Sequence, residues 1–108
     1  MSDSLQIDAQ ELYTQFEAGA DIQLVDVRED WEAAIARLPG AIHLPMRQLD
    51  ARLAELDAKR PTVVYCHHGI RSLHVALALR SRGFTDVRSL RGGIDRWATE
   101  IDYEMPRY

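Results

Sequence analysis

Apolar residues along the chain fall into short blocks separated by polar, glycine- or proline-bearing breaks, and two spacings recur. Ile22-Gln23-Leu24-Val25-Asp26-Val27, Ala41-Ile42-His43-Leu44, Thr62-Val63-Val64-Tyr65 and Val87-Arg88-Ser89-Leu90 are short runs dominated by apolar, mostly β-branched residues. Such runs mark strands buried on both faces. Between them the spacing lengthens to that of a helix. Leu12, Tyr13 and Phe16 give a first helix its stripe, with Asp8 and Glu11 spaced as a capping box and Gly19 placed to end it. Arg28 to Ile35 predicts a short second helix, Pro39-Gly40 a turn, and Leu49, Leu53 and Leu56 a third helix. From Ser72 to Arg80 the chain is apolar nearly all round, which predicts a helix lying deep against the sheet and stopped by Gly83. Gly92-Gly93 leads into a last helix through Trp97. Strands alternating with helices in this way predict one α/β domain over residues 1–108, with a mostly parallel central sheet. No repeat or linker interrupts the pattern.

Composition narrows the function classes. A chain of 108 residues can bury one real core. A net charge of −4, with the arginines scattered, argues against a nucleic-acid partner. No apolar run reaches membrane-span length, so no membrane partner is expected. Met1-Ser2-Asp3-Ser4 lacks the basic and apolar regions of a signal peptide. Cys66 is the single cysteine, so an internal disulfide is excluded and a reducing compartment, the cytoplasm, is expected.

That cysteine carries the candidate chemistry. It is the first residue after the strand Thr62–Tyr65 and stands just before a helix. Unpartnered N–H groups at a helix start favour an anion, and the thiolate is the nucleophilic form of the side chain. The loop Cys66-His67-His68-Gly69-Ile70-Arg71-Ser72 resembles the active-site loop of the rhodanese family of sulfurtransferases. The resemblance extends over nearly the whole chain. Val25-Asp26-Val27-Arg28-Glu29, Leu38-Pro39-Gly40-Ala41-Ile42-His43-Leu44-Pro45 and Gly92-Gly93-Ile94-Asp95-Arg96-Trp97 resemble further family signatures in the same order. One departure is that Ala36-Arg37 stand where many members carry Gly-His, which touches local packing more than sulfur chemistry.

The resemblance implies a rhodanese-like α/β fold with helices on both faces of the sheet. It also implies transfer of a sulfane sulfur from thiosulfate or a similar anionic donor to a thiol or cyanide acceptor through a Cys66 persulfide. No cofactor and no metal are implied. Cys66 is the expected nucleophile, with His67, His68, Gly69, Ile70, Arg71 and Ser72 forming the substrate loop and Asp26 and Arg28 a supporting pair. The thiol is expected to stand exposed among backbone donors. Arg71 either sets the field on the sulfur or fastens the loop to the Asp26 region, and the sequence leaves both open. His67 and His68 are expected to splay outward and shape donor access rather than relay protons. Gly69 is expected to take a positive φ.

Other readings compete. Cys66, His67, His68 and His74 could be metal ligands, but their spacing matches no common metal motif. Cysteine phosphatases and arsenate reductases also place a cysteine loop before a helix with an arginine at its end. Those loops hold one residue more than the four, 67–70, between Cys66 and Arg71. A sulfur-carrier module in a relay between proteins is the remaining alternative, whereas purely regulatory rhodanese-like domains commonly lack the cysteine.

Overall fold

Strand β4, Thr62–Tyr65, is buried at all four positions, as its unbroken run of large residues requires. Its side chains alternate between two cores. Val63 and Tyr65 face one, while Val64 and the following Cys66 face the other. The computed structural model describes residues 5–108, and the polar stretch Met1–Ser4 read above lies outside the described residues. The sheet is five-stranded and fully parallel. Its order is β1 (Gln6–Ile7), β5 (Val87–Leu90), β4, β2 (Gln23–Asp26), β3 (Ile42–His43), so β4 is the middle strand.

Helices cover both faces. Helices α1 (Ala9–Glu17) and α5 (Gly93–Glu100) pack Leu12, Ile94 and Trp97 onto Leu24, Val63, Tyr65 and Leu90. On the opposite face α4 (Ile70–Ser81) sets Val75, Ala76 and Leu79 against Val25, Val64 and Val87. Full burial of each such side chain is worth about 1.5–3 kcal/mol, so β4, with a core on either side, is the best-anchored element.

Several local expectations need correcting. The capping box of α1 does not form, because the Asp8 carboxylate is drawn away to Arg91 (2.7 Å) and caps nothing. A capping box closes instead on α2 (Asp30–Ile35), between Glu29 and Glu32. The third helix is a broken series, with α3 (Leu49–Arg52) between 3₁₀ turns at Met46–Gln48 and Leu53–Glu55. Helix α4 begins at Ile70 rather than Ser72, and it is not buried all round, since Ile70, His74 and Leu77 face outward. Strand β1 was not legible at all. At the Gly-His departure, Ala36 is extended and half-buried with Arg37 exposed, so the site packs without the missing histidine.

Candidate active site

All the strands run the same way, so their C-terminal ends gather at one edge, where ligand sites of parallel sheets lie. The end of β4 delivers Cys66, the end of β2 delivers Asp26, and the turn after β5 delivers Gly92-Gly93. The loop turns through Gly69, whose φ of +104° is open to glycine, as expected, and starts α4.

The Cys66 sulfur lies inside this turn. The Gly69 N–H donates to Sγ at 3.1 Å and the Ser72 N–H at 3.4 Å. The Ser72 hydroxyl sits 3.4 Å away and bonds to the Ser89 hydroxyl at 2.7 Å, while Ser89 also donates to the Gly69 carbonyl. Backbone donors therefore surround the sulfur as anticipated. Its exposure was misjudged, because Cys66 is only 2% exposed and belongs to the α4-side core. The loop is too short to lift the first residue after a buried strand clear of the core.

The far side of the loop is held by α5. The Ile94 N–H donates to the Cys66 carbonyl at 2.9 Å and the Asp95 N–H to the His67 carbonyl at 3.1 Å. The start of α5 thus ties down the first two carbonyls of the loop and fixes its path toward Gly69 from the far side. Such close approach is possible only because residue 93 lacks a Cβ. Gly93 has φ +61°, and a Cβ there would lie 2.5 Å from the Cys66 carbonyl oxygen and overlap the His67 carbonyl.

The Arg71 guanidinium is tied to Glu32 rather than to the Asp26 region. The guanidinium donates Nη1 to Oε1 at 2.7 Å and Nη2 to Oε2 at 2.8 Å, a bidentate fork. Glu32 also accepts the Glu29 N–H and the Tyr108 hydroxyl. These bonds, Arg71's first among them, hold its carboxyl at about 2 despite burial. Against the ordinary 4.5, this stabilisation is complete above pH 4.5 and is lost as pH falls through about 2. Glu32→Gln should therefore cost about 1–2 kcal/mol at neutral pH, discounted for the half-open Arg71 side. It should also flatten the loss of stability between pH 4.5 and 2, as checked by urea denaturation at stepped pH. An unchanged acid slope would contradict this assignment.

Asp26 is occupied by Arg28. Arg28 is fully buried and uses all five guanidinium N–H groups. Nε and Nη2 grip Asp26 at 2.9 and 2.7 Å, and the other three reach the Ala36 and Glu32 carbonyls and the Tyr108 hydroxyl. The Tyr65 hydroxyl donates to Asp26 at 3.0 Å, and burial with that carboxylate beside it pushes the phenol upward. Asp26 and Arg28 thus form the pair anticipated.

His67 and His68 do not splay apart. Their rings stack at 3.9 Å, and His67 also lies flat against Tyr108 at 3.8 Å and 12°. Burial, with the His68 charge next, lowers the His67 pKa. Neither imidazole hydrogen-bonds the sulfur. Among the described residues, His67, His68 and Asp95 bring one potential metal-binding atom each within 4.8 Å of one another, a group without Cys66 or His74. The imidazoles lie nearly face to face, so their in-plane lone pairs run side by side rather than converging, and Asp95 is engaged by Arg107. Sequence reasoning missed Glu32, Ser89, Gly93 and Tyr108. Only the Gly-Gly pair gave a signal, and it was read as a lead into a helix.

A cysteine held by backbone donors between the middle strand and a helix of a parallel α/β sheet defines a class of cysteine-loop α/β domains that includes the rhodanese-type sulfurtransferases. The chain belongs to the rhodanese family, whose rhodanese-like domain matches residues 8–100. It is 37% identical over 93 residues to a sulfurtransferase of Allochromatium vinosum, covering 86% of this chain and 87% of that protein. It is 39% identical over 77 residues to the thiosulfate sulfurtransferase GlpE of Coxiella burnetii, covering 71% of this chain and 72% of that one. The crystal structure of a rhodanese-like domain protein from Staphylococcus aureus superposes with a TM-score of 0.83 at 27% identity, covering 95% and 97% of the two chains. No helix among the described residues is long and apolar enough to cross a membrane.

Proposed function

We propose that this domain transfers a sulfane sulfur from thiosulfate, or a similar anionic donor, to a thiol or cyanide through a Cys66 persulfide. The observation that carries the reading is the pair of N–H groups, from Gly69 and Ser72, on Sγ inside a four-residue turn. In the first half-reaction the Cys66 thiolate attacks the outer sulfur of thiosulfate. The new Sγ–S bond forms as the donor's S–S bond breaks, and that electron pair leaves with sulfite. In the second, the acceptor's lone pair attacks the outer sulfur and the Sγ–S pair returns to Cys66 as thiolate. Donors fixed before reaction stabilise the anionic sulfur without reorganising.

Burial of Cys66 supports a donor that presents a single sulfur atom. The persulfide's outer sulfur then stands about 2 Å beyond Sγ, within easier reach of an acceptor. The short turn also argues against a tetrahedral phosphoryl substrate. We assign Arg71 to holding the loop, since its charge is engaged by Glu32. A free catalytic thiol further fits a reducing compartment.

Steady-state kinetics with thiosulfate and cyanide test the reading. Varying both should give parallel double-reciprocal lines, the signature of a covalent intermediate formed, and sulfite released, before the acceptor binds. Intersecting lines would contradict it. Ile70, in the loop and 70% exposed, favours a protein as acceptor over a small ion, which has no use for an apolar contact. A reduced thiol protein should then outcompete cyanide as acceptor in the same assay.

A further inference from the structure

The segment 102–108 lies across the active-site loop, and its last residue meets more of the site's framework than any loop side chain does. The Tyr108 hydroxyl accepts from Arg28 Nη1 at 3.0 Å and donates to Glu32 Oε2 at 2.9 Å. It therefore joins the two ion pairs, Asp26–Arg28 and Glu32–Arg71, into one continuous network. Burial pushes its own pKa up to about 12, so the hydroxyl keeps the proton it donates. The ring stacks on His67 at 3.8 Å and meets Trp31 edge-on at 5.8 Å. Arg107 clamps the segment to α5 through both oxygens of Asp95, at 3.0 and 3.2 Å. Pro106, Arg107 and Tyr108 close over His67, Ile94 and Ala98, and His67 Nε2 lies buried there without a partner.

These contacts fall on both sides of the sulfur cradle. His67 lies between Cys66 and Gly69, whose N–H is the nearer donor to Sγ. Arg71, held through Glu32, immediately precedes Ser72, whose N–H is the other donor. One side chain thus bears on the residues flanking each donor, by ring contact on one side and through a carboxylate on the other. Ser89 braces the same two donor residues from inside the sheet, through the Ser72 hydroxyl and the Gly69 carbonyl, whereas Tyr108 bears on them from the outer side.

We propose that residues 102–108 form a strap over the sulfur-transfer site, with Tyr108 a positioning residue that fixes both donor N–H groups of the Cys66 cradle. The inference rests on the sulfur-transfer reading above, but its first readout does not. Tyr108→Ala and Tyr108→Phe are compared with the parent by NMR of the imidazole protons and by thiosulfate turnover, at a temperature where circular dichroism shows each variant folded. In the parent, the Tyr108 ring current should move the His67 resonances upfield. In Tyr108→Ala that shift should shrink to the part the stacked His68 ring contributes, and in Tyr108→Phe it should persist in full. Turnover should fall about tenfold in folded Tyr108→Ala, the scale of a small misplacement of a reacting group. Tyr108→Phe, which keeps the ring and loses the hydroxyl, should recover part of that loss.

Parental turnover in folded Tyr108→Ala overturns the proposal, as does a parent in which the His67 resonances show no upfield shift. So does a loss of turnover that only tracks the unfolded fraction. If the parent itself does not turn over thiosulfate, the sulfur-transfer reading fails, while the His67 resonances still report on the strap.

Discussion

Gly93→Ala should nearly abolish sulfur transfer, although residue 93 never touches the sulfur. The new methyl would fall 2.5 Å from the Cys66 carbonyl oxygen and onto the His67 carbonyl, both rigid backbone. Relief requires the loop to move away from α5, which breaks the bonds from the Ile94 and Asp95 N–H groups. The loop is then displaced with its tie to α5 lost, and the Gly69 and Ser72 N–H groups shift relative to Sγ. A displacement near 1 Å is enough to cost about 100-fold in turnover. Left-handed backbone and overpacking together should remove about 2–4 kcal/mol of stability. Gly40→Ala is the control. Gly40 is also left-handed, at φ +78°, but nothing lies within 4 Å of its would-be Cβ. It should lose about 1–2 kcal/mol from the conformation alone and keep its turnover. Equal turnover in the two variants, measured while both are folded, would contradict the role given to the close approach at Gly93.

Arg28→Met should produce the largest loss of stability of any single substitution considered. It strands the Asp26 carboxylate, 1% exposed, with the Tyr65 hydroxyl and the Arg28 backbone N–H as its remaining donors. Removing one partner of a buried pair costs about 3–5 kcal/mol. For a domain of this size that lowers the thermal midpoint by roughly 15–30 °C. Arg28→Lys should fall between variant and parent, because an ammonium restores charge but cannot fork toward Asp26 and still reach Ala36, Glu32 and Tyr108. Thermal unfolding of the three proteins decides this. Arg28→Lys as stable as the parent would show that charge alone suffices and that the fivefold satisfied guanidinium is incidental.

The parts of the fold that local pattern governs were legible in the sequence. Thr62–Tyr65 could only be a buried strand, Gly83 ends α4, and a cysteine between that strand and that helix had to meet helix-start N–H groups. What escaped depends on partners far away in the chain. Strand β1 is two residues long, and Gln6 and Ile7 become strand only by pairing with Ser89 and Leu90. Glu32 looked like one more charge on a short helix until the fold set Arg71 beside it, 39 positions on. Asp8 had the spacing of a cap, and Arg91 at the neighbouring strand end outcompeted the helix for its carboxylate. The splaying expected of His67 and His68 ignored an aromatic face arriving from residue 108. The burial of Cys66 could have been argued from β4 itself, since alternation along a buried strand carries the next side chain straight into the opposite core.

The central claim is that Cys66, inside its ring of N–H donors, carries the transferred sulfur. Intact-mass spectrometry of the reduced protein after exposure to thiosulfate tests it most directly. The account predicts a gain of one sulfur atom per chain, located on Cys66, discharged by cyanide and absent from Cys66→Ser. A folded parent that gains no sulfur, or a Cys66→Ser variant that gains the same mass, would contradict it.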